Sequence, residues 1–179
     1  MPVFFRFWLL PLCGLTLALS APATAETPEA ALTRLGVVLP VPDTPVANYV
    51  QAVRSGNLVF LAGHGPSLPE GGFITGRVGE DLTLAQGYEA ARLTAIALLA
   101  SLKAEIGDLS KVARIVRVFG MVNAAPGFTH QPEVINGASD LLVEVFGPER
   151  GKHARAAVGM ASLPRNIAVE IEMLVEVRD

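Results

Sequence analysis

The side chains best placed to do chemistry lie near the C-terminal end. There Lys152-His-Ala-Arg-Ala-Ala-Val-Gly-Met160 is followed by Leu163-Pro164 and then by Val169-Glu-Ile-Glu-Met-Leu-Val-Glu-Val177. Arg155 stands among Ala154, Ala156 and Ala157 in a segment that reads as an interior strand. Burying a guanidinium without a counter-charge is expensive, so Arg155 must reach solvent, pair permanently with a carboxylate, or await an anionic ligand. Small neighbours leave room for a ligand, and the planar fork suits a carboxylate. In the second segment Val169, Ile171, Met173 and Val175 alternate with Glu170, Glu172, Leu174 and Glu176, which puts the glutamates on one strand face. Two strands around a Pro-containing turn predict a hairpin across which Arg155 and a glutamate meet. An ordinary ion pair and the floor of a binding site both fit that pattern.

Other chemistries find less support. His64, His130 and His153 sit in three separate loops or strand ends with no His-x-x-x-His or His-Glu-x-x-His spacing, so no metal or other cofactor is expected. Gly-x-Ser-x-Gly is absent, and the Gly- and Pro-rich run from Gly63 to Gly79 contains no Gly-x-x-x-x-Gly-Lys. The chain holds 14 Lys and Arg against 17 Asp and Glu, a mildly acidic balance without the clustered basic residues that phosphate neutralisation requires. No nucleic-acid partner is expected.

The elements that must position these residues can be read in order. With 51% hydrophobic and 17% charged residues the chain has enough apolar material for one sizeable core. Thr27 and Pro28 open a short helix that Gly36 closes, and Pro40, Pro42 and Pro45 mark an extended linker. Tyr49–Arg54 and Leu58–Ala62 flank a Ser-Gly-Asn turn and predict a hairpin. Thr83-Leu-Ala-Gln86 has capping-box spacing at the head of a helix reaching Glu105. Lys111–Asn123 predicts an interior strand, and Gln131–Phe146 a second long helix ended by Gly147-Pro148. The order ββαβαββ implies an α+β fold in two layers, a mixed, mostly antiparallel sheet with two long helices on one face.

The first 25 residues have the layout of an export signal: Arg6, the apolar run Phe7–Ser20, then Ala23-Thr-Ala25. That run is shorter than the ~20 residues a spanning helix needs. Cleavage before Glu26 is expected to remove Cys13, the one cysteine, and to release a secreted or periplasmic protein without a membrane anchor. The expected organisation is a signal over 1–25, a short helix and linker over 26–47, and one domain over 48–179.

Several motifs, taken together in order, resemble the Rid family of reactive intermediate deaminases, also described as YjgF-type or endoribonuclease L-PSP-like. They are Tyr49-Val-Gln, Leu61-Ala-Gly63, Gly107-Asp-Leu-Ser-Lys-Val, Val134-Ile-Asn136 and above all Ala154-Arg155-x-x-Val with Leu163-Pro164 and Val169-Glu170-Ile-Glu172. The resemblance covers Tyr49 to Val177 and implies a chorismate-mutase-like fold, a homotrimer and a small carboxylate ligand in clefts between subunits. It implies that Arg155 grips the carboxylate of a 2-imino acid and that Glu170 orients the water that releases ammonia. It further implies that Tyr49, Gly63, His64, Asn136 and Ala157 line the pocket, not all from one subunit. Ala157 stands where family deaminases often carry cysteine, His64 where glutamine is common, and the loop Ala125–His130 is longer. These departures imply a reshaped pocket in a divergent member. Imine hydrolysis, silent binding or sensing of a small molecule, and RNA cleavage are the three activities the resemblance allows. The acidic charge makes the last the weakest.

Overall fold

The computed structural model describes residues 1–3, 26–42 and 44–178. The segment read as an export signal lies, from residue 4 to 25, outside the described residues. The elements run α1 Pro28–Arg34, β1 Ala52–Ser55, β2 Leu58–His64, α2 Leu84–Ile106, β3 Val112–Asn123, α3 Gln131–Gly151, β4 Ala154–Met160 and β5 Val169–Val177. The architecture is α+β, with the two long helices over one face of a five-stranded mixed sheet ordered β1-β2-β5-β3-β4.

Local chemistry accounts for most boundaries. The capping box forms as read: Gln86 N–H donates to Thr83 Oγ1 (3.2 Å) and Thr83 N–H donates to Gln86 Oε1 (2.9 Å). Such a cap is worth about 1 kcal/mol. Gly147 takes a left-handed φ of 74° and breaks α3, leaving one further turn before β4. β1 begins at Ala52 rather than Tyr49, so Tyr49 lies exposed ahead of the strand.

Period-2 burial is sharpest in β5, where Val169, Ile171, Met173, Val175 and Val177 are buried and the residues between them are not. That buried face packs with Val118 and Val122 of β3 against Leu98, Leu99 and Leu102 of α2 and Leu141 and Leu142 of α3. Each fully buried leucine contributes about 1.5–3 kcal/mol. Leu32 of α1 joins the same core. The helices cross closely at Gly137, where an added Cβ would overlap the Tyr88 carbonyl oxygen. Nearby, the Tyr88 hydroxyl donates to Asp140 (2.9 Å).

The expected C-terminal hairpin does not form. β4 pairs in parallel with β3, Arg155 opposite Val118, while β5 runs antiparallel between β2 and β3. Parallel neighbours need a crossover, and α3 supplies it between β3 and β4. β4 is therefore an edge strand, not the interior strand expected, and β3 separates it from β5.

Candidate site on two faces of one sheet

On β5, Glu170 projects from the face that the helices leave open, opposite Met121 of β3. Its position depends on β2. Between Leu61 and His64 that strand carries one residue more than β5, because Leu61 pairs with Met173 but His64 with Ile171. The bulge brings Gly63 beneath Glu170, and a Cβ there would overlap Oε1 and lie 3.0 Å from the carboxyl carbon. Only glycine admits this approach. Burial pushes the Glu170 carboxyl above the usual range, and the Glu172 charge on the same face adds to the shift.

Around this carboxyl lies a cavity of about 510 Å³ lined by Tyr49, Gly63 and His64 together with Phe73, Arg165 and Ile167. His64 is tied to the core: its Nδ1 donates to the Ala62 carbonyl (2.7 Å) and its Nε2 lies 2.7 Å from Ser101 Oγ on α2. The Ala62 carbonyl can only accept, so Nδ1 carries a proton in that contact.

Arg155 lies elsewhere. Its register with Val118 turns it to the helix-covered side, where Nη1 donates to Asn136 Oδ1 (2.8 Å) and Ser139 Oγ (3.0 Å) of α3. Both Nη1 protons are thereby used. Among the described residues no carboxylate lies within 4 Å of this guanidinium, so its Nε–Nη2 edge is the pair of donors left for a carboxylate. Ser139 is also 3.1 Å from His153 Nε2, and His153 Nδ1 donates to the Gly151 carbonyl (2.7 Å). Burial lowers the His153 pKa and the Arg155 charge lowers it further, which favours the neutral ring. Ala157, two residues on and on the same face, packs against the core.

Sequence reasoning thus named two groups that one chain does not unite: Tyr49, Gly63, His64 and Glu170 at the cavity, Arg155, Asn136 and Ala157 beside α3. It missed Ser139, although the i, i+3 spacing from Asn136 places both on one helix face. Among the described residues no three His, Cys, Asp or Glu side chains converge on a possible metal position, and no helix is long and apolar enough to cross a membrane.

Residues 29–177 match the family described as "YjgF/chorismate_mutase-like, putative endoribonuclease". The chain belongs to this family. Among YjgF-like relatives, the protein named TCP17 of Trypanosoma cruzi is 45% identical over 148 residues, 83% of this chain and 92% of that one. The 2-iminobutanoate/2-iminopropanoate deaminase of Dermatophagoides farinae is 29% identical over 137 residues, 76% of this chain and 91% of the mite protein. A crystal structure from Shewanella oneidensis, likewise described as a "putative endoribonuclease", superposes with a TM-score of 0.81 at 33% identity, covering 85% of this chain and all of that one. The YjgF-like fold is thus shared across almost the whole described domain.

Proposed function

We propose that the protein hydrolyses 2-imino acids to 2-oxo acids and ammonia in clefts between the subunits of a homotrimer. The observation that carries this reading is the free Nε–Nη2 edge of Arg155, fixed from behind by Asn136 and Ser139. The deaminase activity named for the mite relative supports it.

In this reading Arg155 of one subunit holds the substrate carboxylate, and Glu170 of a neighbour faces the imine carbon. A water oxygen adds to that carbon while Glu170 accepts a water proton, and the C=N electron pair moves to nitrogen, which takes that proton from Glu170. As the tetrahedral adduct forms C=O, its hydroxyl proton passes through Glu170 to nitrogen, and the C–N bond breaks to release ammonia. A carboxylate whose pKa is raised by burial is a stronger base than an ordinary glutamate, and fixed geometry removes much of the entropic barrier. Arg155 and Glu170 leave the sheet on opposite faces, so a second copy must complete the site. The open face, with Val53 and Phe60 exposed and Leu174 half-buried beside them, is the surface on which copies would meet. The N-terminal segment would export the protein, so that it works in the periplasm or outside the cell.

Release of 2-oxo acid above the spontaneous rate from freshly generated 2-iminobutanoate tests this reading. Arg155→Ala should lower kcat/KM by about a hundredfold. Turnover unchanged in that variant, or cleavage of RNA without release of oxo acid, would overturn it. Ala157, at the position where cysteine is common in such deaminases, favours a second reading as a non-catalytic binder; calorimetric binding of oxo acids without turnover would support that one.

A further inference from the structure

We propose that Arg165 is a second anion-binding group of the Glu170 cavity, so that the acids taken by this site carry a distal carboxylate. This rests on the cleft reading above and names the substrate class for it.

Size is the first observation. The cavity of about 510 Å³ belongs to one chain alone, before a neighbour adds its own wall. A three- or four-carbon imino acid would leave much of it empty, whereas cavities of roughly 300–1,000 Å³ usually hold larger ligands.

Charge is the second. Among the described residues that line the cavity, Arg165 is the one arginine or lysine. Glu170 lines the same space, yet the two do not pair, and no hydrogen bond or ion pair involves the Arg165 side chain among the described residues. Arg165 is exposed to solvent, and an unpaired guanidinium on a residue that lines a cavity is able to offer its fork to a carboxylate there.

Backbone is the third. Arg165 and Asn166 both adopt left-handed conformations, with φ of 54° and 57°. Non-glycine residues rarely do so in succession, and such strain persists only where surroundings enforce it. The turn is pinned at several points. Asn166 N–H donates to the Leu163 carbonyl (3.1 Å), and Gly76 N–H donates to the Asn166 carbonyl (2.8 Å). Asn123, 1% exposed at the end of β3, donates from Nδ2 to Asn166 Oδ1 (2.9 Å). Imine hydrolysis gives Asn123 no task. Holding the Arg165 turn at the cavity wall gives this buried polar side chain one.

Calorimetric titration of the full chain with 2-oxobutanoate, 2-oxoglutarate and 2-oxoadipate, as stable analogues of the imino acids, tests the proposal. Wild type should bind at least one dicarboxylic acid about tenfold more tightly than 2-oxobutanoate. Arg165→Asn, which tolerates the left-handed backbone, should erase that preference while leaving 2-oxobutanoate affinity within about threefold; Arg165→Lys should keep part of it. Thermal melts establish that the variants fold. Equal binding of all three acids by wild type, or a preference that survives Arg165→Asn, would overturn the proposal. If Arg155→Ala abolishes binding while Arg165→Asn keeps the preference, the cleft reading stands and this one fails. No binding of any acid by wild type overturns both.

Discussion

Arg155 and Glu170 project from opposite faces of one sheet, with β3 between their strands. Arg155 lies opposite Val118 and reaches α3, whereas Glu170 lies opposite Met121 and faces away from the helices. A pair of groups so divided cannot meet on one substrate within a single chain. Any reaction that uses both must borrow one of them from another copy.

Subunit mixing checks this directly. If the proposed trimer forms, the Arg155→Ala and Glu170→Gln proteins should each be nearly inactive. After joint unfolding and refolding at equal concentrations, about one quarter of the clefts should combine an intact arginine with an intact glutamate, restoring about a quarter of wild-type activity. No recovery despite confirmed subunit exchange would show that the two residues do not share a site between copies.

Glu170 should also limit stability. Burial and Glu172 raise its folded pKa above the unfolded value, so the stability attached to its proton is fully present below the ordinary carboxylate pKa and is lost as pH rises through the folded one. Glu170→Gln should therefore melt higher than wild type at pH 8, and the difference should vanish near pH 3, where both side chains are neutral. The wild-type pH–rate profile should have its acid limb above the usual glutamate range, reporting the same group. A Glu170→Gln protein that melts lower than wild type at pH 8 would contradict the burial argument.

Much of this was legible from residue types, and the reasons for the remainder are physical. Val169 to Val177 announced the two faces of β5 because the strand period is a local property. Thr83 and Gln86 announced the head of α2 for the same reason. The place of β4 was not local: a turn containing Pro164 looked like a hairpin, while the helix before β4 was the stronger signal, since a strand–helix–strand unit favours parallel pairing. That one choice decided the face on which Arg155 emerged. The left-handed turn at Arg165 and Asn166 lay beyond residue statistics, because arginine does not favour it and tertiary contacts from Gly76 and Asn123 to Asn166 hold it.

Gly63 separates function from folding. An added methyl group would displace the Glu170 carboxyl, the far end of a flexible side chain, rather than backbone. Gly63→Ala should change unfolding free energy by less than about 1 kcal/mol. Moving the carboxylate should nevertheless lower kcat by about tenfold or more, with a smaller effect on KM, because in the proposed site Arg155 would still hold the substrate. Paired denaturation and rate measurements check this, and unchanged kcat would detach Glu170 from the reaction.

Gly137→Ala should behave in the opposite way. In an isolated helix alanine is favoured over glycine by about 0.8–1 kcal/mol. Here the new Cβ would overlap the Tyr88 carbonyl oxygen and lie 2.9 Å from its carbon and 3.1 Å from the Arg92 nitrogen, all backbone atoms of α2 that cannot rotate aside. The helices would have to move apart above Leu98, Leu141 and the sheet, and overpacking of that kind costs about 1–3 kcal/mol or more. The clash should win, lowering Tm by about 2–4 °C for each net kcal/mol. Asn136 and Ser139 sit on either side of this position on α3, so parting the helices should also loosen their hold on Arg155 and raise KM. A Gly137→Ala protein as stable as wild type would show that the two helices do not pack this closely in solution.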